Sequence, residues 1–139
     1  MEEKQIKKLI EMALEVREKA YVPYSHFRVG AALLCGDGSI YTGCNVENAS
    51  YPASNCAERT AVFKAVSEGK REFTAIAVMG GMEGMKKLED CTPCGICRQV
   101  LAEFADESML VFTGTSPENY RQYTLAELLP HSFTGKNLQ

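Results

Sequence analysis

Two separate segments of this 139-residue chain carry cysteine thiols where a helix is expected to begin, and this pairing constrains the fold more than any other feature. The first segment is Asn55-Cys56-Ala57-Glu58-Arg59, and the second runs from Cys91 through Thr92-Pro93-Cys94-Gly95-Ile96-Cys97. Asn55 is expected as the N-cap of one helix, with Thr92-Pro93 as the cap and first position of the other. A helix N-terminus carries partial positive charge and free N–H groups, which favour the thiolate form. Cys94 and Cys97, three residues apart, can share one helix face, and Cys56 offers a third sulfur. A fold that joins these thiols must bring two helix starts to one point.

The rest of the chain supplies a sheet on which such helices can sit. Ile6, Leu9, Ile10, Ala13, Leu14 and Ala20 recur at three- and four-residue steps between charges, the pattern of an amphipathic helix covering one sheet face. Residues 28–34 and 40–46 flank Gly36-Asp37-Gly38-Ser39 and read as a hairpin, followed by a loop over 48–54. Ala57, Ala61, Val62, Ala65 and Val66 continue the second helix, which Gly69 closes. A strand is expected over 73–79, a loop over 80–85, a third helix from Pro93 with Ile96, Val100, Leu101 and Phe104, and a strand over 109–112. The order βαβ implies neighbouring parallel strands. Shorter pieces at 120–123 and 125–129 precede Pro130. Together these predict one α/β domain over residues 1–139, with a central mixed sheet between helices.

Composition narrows the function. Lys and Arg number 15 against 18 Asp and Glu, without the basic excess that a nucleic-acid partner requires. The longest apolar run, 29–35, falls well short of the roughly 18 residues of a membrane span. Charges are interspersed along the first twenty residues, unlike a secretory signal, so a cytoplasmic location is expected. Six cysteines are fewer than a disulfide scaffold of this length would use, which favours free thiols or metal ligands.

Three sulfurs and one water make a catalytic zinc site, whereas a structural zinc takes four protein ligands. Three thiolates around a zinc dication leave a charge of about minus one, which helix termini and hydrogen bonds from Arg59 would offset. Glu58 is the candidate general acid and base. Residues two apart do not share a face within a helix, but Cys56 and Glu58 can both project past the helix end at its first turn. Other readings compete with this one. Asn55-x-x-Glu58 fits a capping box, and Cys94-Gly95-Ile96-Cys97 fits a thiol-disulfide exchange motif that leaves Cys56 and Glu58 unexplained. A ferredoxin run fails where the next cysteine would be, at Leu101. Cys91 added to the other three thiols would close the site as a structural zinc. By pattern alone Phe27 reads as a core aromatic, Asn45 and Glu47 as solvated loop residues, and His26 and His131 as residues without a special role.

Nearly end to end, the chain resembles the small homotetrameric cytidine deaminases of pyrimidine salvage. The resemblance rests on Phe27-Arg28-Val29-Gly30-Ala31-Ala32-Leu33, on Asn45-Val46-Glu47-Asn48-Ala49-Ser50-Tyr51, on Cys56-Ala57-Glu58-Arg59, on Pro93-Cys94-Gly95-Ile96-Cys97-Arg98-Gln99-Val100, and on Leu128-Leu129-Pro130 with Phe133. It implies a three-layer α-β-α fold and one zinc per chain held by Cys56, Cys94 and Cys97. It implies that Glu58 shuttles protons while C4 of the cytosine ring is attacked and ammonia leaves, on cytidine and deoxycytidine. Phe27 would stack on the base, Asn45 and Glu47 would bind the ribose hydroxyls, and the Ala57 backbone would hold the pyrimidine edge. Ala49, Tyr51 and Phe133 would serve a neighbouring subunit's site. The three-cysteine set and short chain resemble the tetrameric branch rather than the longer dimeric branch with one histidine ligand. A related aminohydrolase such as a blasticidin S-type deaminase shares the zinc motifs, although Asn45-Val46-Glu47 and Phe133 favour an ordinary nucleoside. A zinc-stapled binding module without turnover is the rival from another class.

Overall fold

A computed structural model describes residues 1–85 and 87–139. The elements are α1 (Glu3–Arg17), β1 (Phe27–Cys35), β2 (Ile40–Cys44), α2 (Ala57–Ser67), β3 (Phe73–Met82), α3 (Gly95–Phe104), β4 (Leu110–Ser116), β5 (Asn119–Thr124) and α4 (Leu125–Leu128). The five strands form one mixed sheet in the order β2-β1-β3-β4-β5. The expected hairpin pairs β1 with β2, β3 and β4 run parallel, and β5 returns antiparallel to β4.

Both faces of the sheet are covered, which explains why β1 and β3 read as near-continuous apolar runs rather than alternating ones. Ile6, Leu9, Ile10 and Ala13 of α1 pack on Ala32, Ala75, Ala77, Met79 and Phe112. On the opposite face, Ala57, Ala61, Val62 and Ala65 of α2 and Leu101 of α3 cover Ala31, Leu33, Ile76, Val78 and Val111. The result is the expected α-β-α sandwich. Small residues let α2 lie close: a Cβ on Gly43 would fall 2.5 Å from the Ala61 nitrogen and 2.7 Å from the Ala57 oxygen. That contact fixes the first turn of α2 against the sheet.

The structure corrects three boundaries. The thiols themselves occupy the N-cap positions, Cys56 for α2 and Cys94 for α3, in place of Asn55 and Thr92. Asn55 is drawn into a backbone bridge with Val46, its N–H donating to the Val46 carbonyl at 2.9 Å and its carbonyl accepting at 3.0 Å. Thr92 and Pro93 lie in irregular chain before the helix, secured by Arg98, whose guanidinium donates to the Pro93 carbonyl (2.7 Å) and to Thr92 Oγ1 (3.2 Å). Consequently α3 starts later than expected and Ile96 is 62% exposed rather than packed. Third, β3 continues to Met82, because Gly80, Gly81 and Met82 find partners in Val29, Arg28 and Phe27 of β1. Among the described residues no helix is long and apolar enough to cross a membrane.

Candidate active site

The sheet brings the two helix starts together. Among the described residues, one atom each from Cys56, Cys94 and Cys97 lies within 4.8 Å of the others, close enough to share an ion. Cys56 Sγ stands 3.8 Å from Cys94 Sγ, and Cys94 Sγ stands 3.5 Å from Cys97 Sγ. Tetrahedral zinc with bonds of about 2.3 Å to sulfur requires sulfurs about 3.8 Å apart, so these three fit the metal. Neither N-cap thiol caps its helix by a side-chain hydrogen bond, which leaves both sulfurs free to face the shared centre. Cys97 lies one turn into α3 and is buried, while Cys94 is exposed and gives the centre its open side.

Glu58 is 5% exposed, and burial pushes its carboxyl up to about 7, with the nearby Cys56 charge adding to the rise. A carboxyl poised there can both take and return a proton near neutrality. The capping-box reading fails, because the Asn55 side chain donates to Thr60 Oγ1 at 3.2 Å and Glu58 is buried in the site instead. Arg59 donates from Nη2 to Cys56 Sγ at 3.2 Å. Hydrogen bonding with Cys97, and then with Arg59, draws the Cys56 thiol well below its ordinary range despite its burial, and Cys97 rises in turn through the same pairing. The thiolate pulls the Arg59 guanidinium above its ordinary range. Arg59 Nε is buried without a hydrogen-bond partner among the described residues, a spare donor beside a cluster that becomes more anionic when all three thiols ionise.

Cys91 does not join the group of three. It packs against the apolar core, and burial, followed by the charge of Glu58, pushes its thiol up to about 12. A closed four-cysteine site is therefore not formed, and Cys91 acts as a small apolar residue. Cys91→Ser is expected to retain one zinc per chain and turnover within about twofold of the parent, checked by metal analysis and initial rates. Loss of the metal in that variant would restore Cys91 as a ligand.

Phe27 stands at the start of β1, half-buried, with its ring beside Gly80: a Cβ there would meet Phe27 Cε1 at 3.0 Å and Cys91 Sγ at 3.1 Å. The ring and the core thiol thus flank the same point of β3. Asn45 follows β2, where its Oδ1 accepts from the Val29 N–H and its Nδ2 donates to the Phe27 carbonyl, both at 2.8 Å. One N–H of its amide remains for a ligand. Glu47 Oε1 accepts from the N–H groups of Tyr24 (3.0 Å) and Ser25 (3.1 Å), and Oε2 accepts from Ser25 Oγ. Burial works to raise Glu47, but these hydrogen bonds outweigh it and hold the carboxyl below its usual range. Asn45 and Glu47 are therefore fixed groups rather than freely solvated loop residues. Ala57 is fully buried at the first position of α2. Ala49, Tyr51 and Phe133 stay outside this cluster as exposed residues, with Tyr51 70% and Phe133 61% exposed. Sequence reading assigned no role to Ser25, although Pro23-Tyr24-Ser25 in a turn before Phe27 marked the place, nor to Arg98 as the anchor of the Cys94 loop.

Three sulfurs that leave one tetrahedral position for water, beside a carboxyl able to move protons, form the centre of a zinc hydrolase. Residues 3–113 match the family model described as the cytidine and deoxycytidylate deaminase zinc-binding region. A cytidine deaminase of Sporosarcina psychrophila is 51% identical over 133 residues, covering 96% of this chain and 94% of that protein. The crystal structure of cytidine deaminase from Burkholderia pseudomallei superposes with a TM-score of 0.80 at 48% identity, covering 91% of this chain and 97% of that one. A blasticidin-S deaminase of Bacillus cereus is more distant, 27% identical over 129 residues, with 91% of this chain and 90% of that protein covered. The chain belongs to the cytidine and deoxycytidylate deaminase family, and zinc is its cofactor.

Proposed function

We propose that this chain catalyses the hydrolytic deamination of cytidine and deoxycytidine to uridine and deoxyuridine, a step of pyrimidine salvage. The observation that carries the reading is the three-sulfur centre at the start of α2 and α3, with Glu58 buried beside it. Cys56, Cys94 and Cys97 hold one zinc, which when bound supplies the Lewis acid that makes water nucleophilic near neutral pH. Glu58 accepts a proton on a carboxylate oxygen as water adds to C4, and returns it to the ring nitrogen beside C4. Glu58 then takes the remaining proton from the hydroxyl on C4 and gives it to the amino group, the C4=O bond forms as the C4–N bond breaks, and ammonia leaves. Phe27 stacks on the base, Asn45 and Glu47 hold the ribose hydroxyls, and the Ala57 backbone holds the pyrimidine edge. Arg59 neutralises sulfur charge that would otherwise weaken the electrophile. Arg59→Gln is expected to fold normally and lose about 10- to 100-fold in kcat, as other outer partners of metal ligands do. Turnover at the parent's level would remove Arg59 from the mechanism.

The same reading makes residues 1–139 one domain that assembles as a homotetramer in the cytoplasm, with Ala49, Tyr51 and Phe133 completing a neighbour's pocket. The exposure of Tyr51 and Phe133 on the single chain supports that assignment. A monomer would be inactive. The substrate is a free nucleoside, with neither nucleic acid nor membrane as partner. The test is zinc content per chain together with the loss of cytidine absorbance, in protein purified without chelator. One zinc with uridine formation supports the proposal. Zinc without turnover on cytidine, but with turnover on blasticidin S, moves the substrate to the other aminohydrolase class, and zinc with no turnover on either leaves a binding module.

A further inference from the structure

Ser25 hydrogen-bonds both Glu47 and Phe27, two of the residues assigned above to the substrate pocket. Pro23-Tyr24-Ser25-His26-Phe27 turns sharply into β1, with His26 in the left-handed region at φ 59° and its N–H donating to the Val22 carbonyl at 3.0 Å. A bulky residue rarely adopts that conformation without surrounding support. The turn sets the Ser25 hydroxyl between two elements of the pocket. Its Oγ donates to Glu47 Oε2 and accepts the Phe27 N–H at 3.0 Å. One hydroxyl therefore joins the carboxylate on the β2 side to the backbone of the aromatic residue on β1.

The two ends of this link are not equally dependent on it. Phe27 is held separately, by the Asn45 amide on its carbonyl and by its pairing with Met82 across the sheet. Glu47 Oε1 keeps two backbone donors from Tyr24 and Ser25, but the hydroxyl is the hydrogen bond recorded on Oε2. A carboxylate presents about four acceptor directions, of which the protein fills three here, so a single direction is left for a ligand hydroxyl. Without Ser25 Oγ that direction is no longer set, while the aromatic platform keeps its other anchors.

We infer that Ser25 is a positioning residue for ribose recognition: its hydroxyl aims the Glu47 carboxylate at the sugar and ties that aim to the base-stacking residue Phe27. The inference rests on the reading of Glu47 as a ribose ligand, and the test separates the two. KM and kcat are measured in the zinc-loaded protein for cytidine and for 2′,3′-dideoxycytidine, which lacks the 2′ and 3′ hydroxyls proposed for Glu47 to receive. Ser25→Ala is expected to raise KM for cytidine about tenfold, the loss of one charge-assisted contact, with kcat and the KM for dideoxycytidine within about twofold. Ser25→Thr keeps the hydroxyl and is expected to return most of the loss. Glu47→Gln is expected to show the same preference for cytidine in its damage. An equal KM increase on both substrates in Ser25→Ala, with Glu47→Gln still selective, overturns the role of Ser25. Equal damage to both substrates in Glu47→Gln overturns the ribose reading itself and the inference with it. Should Ser25→Ala fail to fold by thermal melting, Ser25→Cys, with similar size and a weak donor, carries the same comparison.

Discussion

Glu58→Gln is expected to retain one zinc per chain and to lose about 100- to 10,000-fold in kcat, the range for removing a general acid and base. The substitution is nearly isosteric at a site that is 5% exposed, so packing against α2 and its surroundings is preserved. It removes the one property the reaction needs there. An amide neither accepts the proton released as water adds to C4 nor delivers one to the departing amine, whereas the Glu58 carboxyl lies against Cys56 and Cys97. Metal retention follows from the same geometry, since the sulfurs of Cys56, Cys94 and Cys97 complete the protein's share of the site without Glu58. Metal analysis beside steady-state kinetics checks both halves. Turnover within tenfold of the parent would sink the proton-shuttle role, and loss of zinc would make Glu58 part of the metal's support.

The sheet and the cysteine centre were legible in the sequence for a physical reason. An apolar stripe at helical spacing and two apolar runs around a Gly-rich turn have few alternative folds, and three thiols gathered at two helix starts have few uses besides holding a metal. What the sequence misplaced depends on partners distant along the chain. Asn55 has the chemistry of an N-cap, but bridging to Val46 takes its backbone into the sheet edge. The extension of β3 to Met82 needs the far end of β1 as a template, which no local pattern around Gly80-Gly81 announces. Glu47 looks like a solvated loop acid because its three donors come from Tyr24 and Ser25, more than twenty residues earlier. The sugar-side roles proposed for Asn45 and Glu47 came from the family resemblance alone, and the positioning role inferred for Ser25 came from neither the local pattern nor the resemblance. Cys91 shows the opposite case: its spacing to Cys94 suggested ligation, and burial beside Glu58 makes it an apolar wall.

Removing zinc is expected to abolish turnover without unfolding the chain. The two apolar clusters, one on each face of the sheet, include none of Cys56, Cys94 and Cys97, so the domain retains its core when the metal leaves. This distinguishes it from small zinc modules whose folding energy is the metal itself. What the metal adds is the tie between the start of α2 and the start of α3, where Cys94 Sγ stands 3.8 Å from Cys56 Sγ and 3.5 Å from Cys97 Sγ and the three thiols otherwise rely on shared protons and Arg59. A ligand present at about 100 to 1,000 times its dissociation constant stabilises the folded state by about 2.7 to 4.1 kcal/mol. For a domain of this size that converts to a fall in Tm of roughly 10 °C on chelation. Dialysis against a chelator, followed by melting with circular dichroism and an activity assay, measures both effects, and addition of one equivalent of zinc should return them together. Recovery of Tm without recovery of turnover would mean that the metal staples the two helices and does no chemistry, whereas full turnover in the metal-free protein would remove it from the reaction. A drop far larger than 10 °C, ending in an unfolded chain, would show that the hydrophobic layers cannot stand without the three-sulfur tie.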